Sequence, residues 1–156
     1  MLKASDFGPS SPMATTSSEV RCITLPQAKK MPAVLLVDDD DDNLFLLEKI
    51  LEQFTCTITL ETEGNTALEI AKQLKPNLIL LDIWLPGING IEITQALRQD
   101  PLTAKIPIVA VTALASDRDR QSVLKAGCNQ YVSKPYVLEV LEDVLNLYLT
   151  PRPEAL

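Results

Sequence analysis

Histidine is absent from all 156 residues of the chain. Ser-His-Asp and Cys-His catalysis, histidine-ligated zinc and any imidazole general base are thereby excluded. Chemistry falls to carboxylates, lysine, hydroxyls and thiols. Cysteine is scarce: Cys22, Cys56 and Cys128 lie far apart with no CxxC. Zinc ribbons and thioredoxin-like redox motifs are out, and reduced thiols in a cytoplasmic protein are expected. No apolar run approaches the ~18 residues of a membrane span, and the N-terminus lacks the apolar core of a signal peptide. The chain therefore reads as soluble and cytoplasmic, with no membrane insertion. Basic residues are the minority, 14 against 21 acidic for a net charge of −7, which argues against direct nucleic-acid binding. Only five glycines are present, and they form no Gly-rich dinucleotide fingerprint.

What is present divides unevenly. Residues 1–32 are rich in Ser, Thr and Pro with little apolar periodicity, and such a composition cannot bury enough surface to offset its ordering entropy. A disordered extension of charge +2 is expected there. The other 124 residues hold ten basic and nineteen acidic side chains, so the folded part is the more acidic, at −9. From residue 33 the pattern alternates. Strands are expected at Ala33–Val37, Cys56–Glu61, Asn77–Leu81, Ile106–Val111 and Gln130–Ser133. Helices are expected at Asp42–Phe54, Asn65–Leu74, Gly90–Gln99, Ser116–Ala126 and Tyr136–Leu149, the fourth stopped by Gly127. Strands apolar on both faces belong to parallel sheets covered by helices. Five βα units without the dinucleotide fingerprint favour an α/β, flavodoxin-like (βα)5 doubly wound parallel sheet of strand order 2-1-3-4-5. The expected layout is an extension over 1–32, one domain over 33–149 and a short tail over 150–156.

In such sheets the site lies beyond the carboxyl ends of the strands. Strand 1 ends in Asp38 and Asp39, strand 3 in Asp82 and strand 4 in Thr112, and strand 5 leads into Lys134. Three converging carboxylates repel one another unless a cation sits among them, and an all-oxygen donor set selects Mg²⁺ or a similar hard ion. Of the five consecutive aspartates, Asp41 or Asp42 is read as the N-cap of the helix beginning near Asn43, and Asp40 as either a cation-site neighbour or a solvated charge. An EF-hand fails here. With Asp38 as its first position, Asn43 replaces the required Gly and Lys49 the chelating Glu.

Asp39, Asp82, Thr112 and Lys134 are separated by 43, 30 and 22 residues. The segments Val37-Asp38-Asp39, Leu80 through Gly90 around Asp82, Val111-Thr112-Ala113 and Ser133-Lys134-Pro135 resemble the receiver domain of two-component response regulators, over residues 33 to about 149. The resemblance implies that Asp82 is the phosphoacceptor. It implies that Asp39 and Asp82, with the backbone carbonyl of Trp84, bind Mg²⁺, Asp38 assisting through water. Lys134, after which a cis proline is implied, would pair with one phosphoryl oxygen and the Thr112 hydroxyl with another. Tyr131 matches the family's aromatic switch residue, moving inward from an outward rotamer as Thr112 is drawn to the phosphoryl group, which links the site to the helix 4–strand 5–helix 5 face. Asp40 departs from the Asn of many family members.

Trp84 is expected at the mouth of the site. With Leu114 it would wall the aspartyl phosphate from water. On helix 1, Leu46, Leu47, Ile50, Leu51 and Phe54 are expected to share the buried face and Phe45 to stand opposite, exposed, as a candidate docking anchor for the partner kinase. Arg118 and Arg120 on helix 4 are candidates for target binding. The resemblance implies a phosphoacceptor regulator rather than an enzyme acting on other substrates. Its partners would be a sensor histidine kinase or histidine phosphotransfer protein, which supplies the histidine this chain lacks, and a downstream target protein. About seven residues follow the last helix, so a stand-alone receiver without an output domain is expected. Two other readings compete. A haloacid-dehalogenase-type phosphatase would use Asp38-Asp39-Asp40 as its Asp-x-Asp. However, Asp42 stands where that family needs Thr or Val, and Glu139, Glu142 and Asp143, the acids after Lys134, fall on a helix. A degenerate, phosphate-independent module would lack key residues that are all present here.

Overall fold

The computed structural model describes residues 31–113 and 116–150. The chain runs β1 (Ala33–Val37), α1 (Asp41–Leu51), β2 (Thr57–Glu61), α2 (Gly64–Leu74), β3 (Leu78–Leu81), α3 (Gly90–Gln99), β4 (Ile108–Thr112), α4 (Asp117–Ala126), β5 (Gln130–Ser133) and α5 (Leu138–Leu149). The strands form one parallel sheet in the order β2-β1-β3-β4-β5, so the doubly wound, flavodoxin-like arrangement holds. Residues 1–30, 114–115 and 151–156 lie outside the described residues. With them go most of the expected disordered extension, nearly all of the tail, Cys22 and Leu114. The described fold starts slightly before the first strand, because the Pro32 carbonyl accepts the Thr57 amide at 2.9 Å.

The continuous apolar runs become strands because both sheet faces are covered. Leu35, Val37, Ile79, Leu81, Ile108 and Ala110 face one layer, with Ala67 and Ala71 of α2, Ile93 and Leu97 of α3 and Val123 of α4. Val34, Leu36, Leu78, Leu80, Val109 and Val111 face the other, against α1 and α5. The edge strand β2 is only partly covered, which explains its alternation with Thr.

Several local expectations change; α1 ends at Leu51 rather than Phe54 and β4 starts at Ile108 rather than Ile106. The cap of α1 is Asp40, whose carboxylate accepts the Asp42 amide at 2.8 Å, rather than Asp41 or Asp42. Those two occupy the first turn, where their charge suits the helix dipole. The buried stripe of α1 is Leu44, Leu47, Ile50 and Leu51, whereas Leu46 is 46% exposed. A stripe centred on Leu47 and Leu51 includes Leu44, three and seven residues away, and turns Leu46 outward. Helix α5 begins at Leu138 rather than Tyr136. The boundary glycine Gly127 caps α4 at φ 122 as expected. Lys75, caught between α2 and Pro76, ends its helix in a left-handed conformation at φ 48.

Candidate functional site

The ladder of the sheet extends one residue past the strands and fixes the site backbone. Asp38 N–H donates to Glu61 O at 3.1 Å, Asp82 N–H to Val37 O at 2.9 Å and Lys134 N–H to Thr112 O at 2.9 Å. Asp38, Asp82, Thr112 and Lys134 therefore leave from adjacent strand ends at known register. Asp38 is 2% exposed, Asp82 6% and Thr112 0%, while Asp39 is exposed.

Lys134 Nζ stands 3.0 Å from Asp38 Oδ2 and 3.2 Å from Asp82 Oδ2. The outer oxygens are occupied by backbone: Asp38 Oδ1 accepts the Asp40 amide and Asp82 Oδ1 the Trp84 amide, each at 3.0 Å. Lys134–Pro135 is cis. The close backbone approach behind Asp82 depends on Gly90, whose amide donates to Ile83 O at 2.8 Å. A β-carbon there would lie 2.6 Å from Ile83 Cα.

Burial raises the Asp82 pKa above the ordinary carboxylate value. The Trp84 amide and Lys134 pull it down, Asp38 pushes it up, and the net direction is upward. Burial pulls Lys134 down, but its hydrogen bond to Asp38 and the charges of Asp82 and Asp38 outweigh that, so the ammonium is held above the ordinary lysine value. The two directions agree physically: one ammonium serves two buried carboxylates and leaves the cluster short of positive charge.

Asp38, Asp39 and Asp82 each offer an oxygen, all within 4.8 Å of one another. Opposite ligands of a small octahedral divalent ion stand about 4.2 Å apart, so the three carboxylates fit such an ion with little adjustment. The Thr112 hydroxyl is buried with no hydrogen-bond partner. Leaving a buried hydroxyl unpaired costs roughly 1–3 kcal/mol, which leaves a free donor at the end of the strand next to that of Asp82. The arrangement joins an anchored carboxylate, acids able to hold a cation, an ammonium and a buried hydroxyl. That set suits phosphoryl transfer, which depends on positioning and charge neutralisation.

Trp84 is 62% exposed and meets the site through its backbone amide. Tyr131 is half-buried, with its hydroxyl enclosed and unpaired and the Arg120 guanidinium 5.3 Å from its ring centre. Phe45 is 60% exposed, as expected, with Lys49 Nζ 5.2 Å from its ring centre. Arg118 and Arg120 are exposed on α4. Sequence reasoning passed over Tyr136, whose hydroxyl is buried and unpaired two residues after Lys134. It also passed over the Asn89–Glu92 capping box that starts α3 behind Asp82, although Asn followed three residues later by Glu was a readable signal.

The family model for the response regulator receiver domain matches residues 34–146. The polar-differentiation response regulator DivK of Brucella anthropi is 33% identical over 117 residues, which span 75% of this chain and 95% of that protein. The receiver domain of the sensor histidine kinase PA1611 from Pseudomonas aeruginosa, solved with magnesium coordinated in its active-site cleft, superposes with a TM-score of 0.71. It is 30% identical over 78% of this chain and all of that one. A putative response regulator from Chloroflexus aurantiacus gives a TM-score of 0.73 at 30% identity over the same shares. The chain belongs to the response regulator receiver domain family.

Proposed function

We propose that the protein takes a phosphoryl group onto Asp82 from a phosphohistidine of a sensor histidine kinase or histidine phosphotransfer protein, in a Mg²⁺-dependent reaction. The observation that carries this reading is the buried, twice-anchored Asp82 carboxylate bonded by Lys134, with the orphaned Thr112 hydroxyl at the end of the neighbouring strand. An Asp82 oxygen forms the new O–P bond as the partner's N–P bond breaks, and the departing imidazole takes up a proton. Hydrolysis later returns the carboxylate, water adding to phosphorus as the acyl O–P bond breaks. Asp38, Asp39, Asp82 and the Trp84 carbonyl would hold the Mg²⁺, which supplies positive charge against the phosphoryl oxygens. Lys134 neutralises one of those oxygens, and Thr112 donates to another. The chain thus promotes its own phosphorylation and dephosphorylation and acts on no separate substrate.

The consequence of phosphorylation is carried by the α4–β5–α5 face. As Thr112 turns toward the phosphoryl group, Tyr131 shifts in the space beside it, and a target protein or the next relay component reads the change. A cavity of about 160 Å³ lined by Arg120, Tyr131, Val132, Ser133, Val137 and Val140 gives that face room to rearrange. The site acts in the cytoplasm, where such donors reside; among the described residues no helix is long and apolar enough to cross a membrane.

Incubation with a small phosphodonor and Mg²⁺, read by intact mass, tests the assignment. Wild type should gain one phosphoryl group, and Asp82→Asn none. Equal uptake by both would place the acceptor elsewhere.

A further inference from the structure

Among the described residues, strand β2 (Thr57–Glu61) pairs with β1 on one side and with no strand on the other. The bonds at its ends show which of its backbone groups are spent. Thr57 N–H donates to Pro32 O, and Glu61 O accepts the Asp38 amide. The backbone groups of successive strand residues point to alternate sides, so those of Thr57, Thr59 and Glu61 face β1. The N–H and C=O of Ile58 and Leu60 face outward.

Edge strands are normally guarded by proline, lysine, a bulge or an inward-pointing charge. Strand β2 reads Thr-Ile-Thr-Leu-Glu and keeps an unbroken register with β1, so it has no proline, no lysine and no bulge. Its one charged side chain, that of Glu61, folds back to accept the amides of Thr62 and Glu63. Leu60 is 40% exposed, and Ile58 is half-buried against the core layer of α1 and α5. Two residues apart, they share one face of the strand.

This edge is complementary to itself. A two-fold axis through Thr59, normal to the sheet, brings a second copy alongside as an antiparallel strand. Ile58 then stands opposite Leu60 of the second copy, and Leu60 opposite Ile58 of the second copy. These residues carry the outward groups, so each pair exchanges N–H···O bonds in both directions. Their side chains meet as apolar cross-strand pairs, and Thr59 meets Thr59 of the second copy as a hydroxyl pair, both favourable combinations. Glu61 falls opposite Thr57 of the second copy, so no like charges are directly opposed. A shift of two residues either way moves half of the outward groups past the end of the strand.

We propose that β2 is a self-association edge, through which two copies of this chain join their sheets antiparallel about Thr59. The contact is isologous, the same strand on both copies, and it closes at a dimer. The inference does not depend on the phosphoacceptor reading. Because the paired strands run in opposite directions, the two Asp82 sites open at opposite ends of the joined sheet. Five residues make a short contact, of the size that gives weak pairs sensitive to concentration.

Sedimentation velocity of the full chain, over a roughly hundredfold range of concentration, is the test. Wild type should pass from monomer to dimer as the concentration rises. Added salt should favour the dimer, because each copy carries a net charge of −7 that salt screens. Leu60→Lys should raise the dissociation constant about tenfold or more, since lysine guards an edge. Leu60→Pro should do the same, because it deletes an outward N–H that the monomer does not use. Amide hydrogen exchange on wild type gives a second reading that needs no variant. The Ile58 and Leu60 amides should exchange freely in dilute protein and about tenfold more slowly in concentrated protein. The Thr57 and Thr59 amides, turned toward β1, should stay protected at both concentrations. A monomer at every concentration would overturn the proposal. So would a dimer that survives both substitutions or is dissociated by salt, since it would use another face. Protection of Ile58 and Leu60 in dilute protein would overturn it too, because another segment would then cover the edge.

Discussion

To serve as the proposed phosphoacceptor Asp82 has to be ionised, yet burial and the neighbouring Asp38 both resist its charge, and the Trp84 amide and Lys134 only partly compensate. A carboxyl whose folded pKa lies above its unfolded value binds its proton more tightly in the folded state. Its contribution is therefore unfavourable at neutral pH and is relieved as pH falls through the folded pKa toward the unfolded value of about 3.9. Asp82→Asn cannot titrate at this position, so the difference between the two proteins isolates the proton on Asp82. Urea midpoints measured from pH 7 down to about 4 should show wild type gaining stability relative to Asp82→Asn. Saturating Mg²⁺ should flatten the difference by favouring the ionised form. Parallel curves without Mg²⁺ would show that Asp82 titrates normally. Trp84 makes a second prediction at this scale. Its ring is 62% exposed while its amide is fixed on Asp82, so the side chain projects from the site with no packing duty. If the ring hinders the approach of water, Trp84→Ala should shorten the half-life of the phosphorylated protein several-fold with little effect on melting. An unchanged half-life would sink that role.

At the scale of elements, the loop between β3 and α3 places Asp82, and Gly90 makes the loop possible. With Gly90 as the first helical residue after the Asn89 cap, α3 starts against the backbone of Ile83. A methyl group at position 90 would sit 2.6 Å from Ile83 Cα and 2.7 Å from Asp82 O, which are backbone atoms that cannot step aside as a flexible side chain would. Gly90→Ala should cost about 1–3 kcal/mol in unfolding free energy and weaken Mg²⁺ binding, because the strain falls on Asp82 itself. Mg²⁺ affinity at the wild-type level in the destabilised variant would mean that α3 yields instead of the loop. The elements were largely legible in the sequence, because β1, β3 and β4 are unbroken apolar runs ending in acid or hydroxyl residues. The four site residues at the strand ends were legible for the same reason, since a parallel sheet brings its carboxyl ends together. What escaped depended on three-dimensional neighbours. Asp40, not Asp41 or Asp42, became the cap because backbone geometry alone selects among adjacent aspartates. Tyr136 read as the start of α5, and nothing in its one-dimensional surroundings showed that its hydroxyl would be enclosed without a partner. Arg98 is similar. It ties α3 to the carbonyls of Ala104, Ile106 and Gly127 and to Asn129, a knot of contacts between segments far apart in sequence.

For the whole molecule, the chemistry proposed at Asp82 is separate from recognition of the donor that would deliver the phosphoryl group. The site opens at the carboxyl end of the sheet, and α1 begins there, immediately after Asp38–Asp40. Along α1, Phe45 at 60% and Leu46 at 46% exposure form adjacent apolar surface that the fold does not need. Lys49 lies over the Phe45 ring, which holds it in place at the cost of some freedom for both. Aromatic side chains are typical anchors of protein interfaces, and where one is a hot spot its truncation costs about 2 kcal/mol or more. A donor presenting its phosphohistidine on a helical surface would meet this part of α1 as it reaches Asp82, whereas a small phosphodonor would pass it by. Phe45→Ala should therefore slow phosphoryl transfer from the cognate histidine donor by about tenfold or more, seen as a raised half-saturating donor concentration. It should leave uptake from a small phosphodonor within about twofold, because Asp82, Lys134 and Thr112 are untouched. Equal slowing with both donors would show that Phe45 supports the site through the fold, and no slowing with either would place the docking surface on another face.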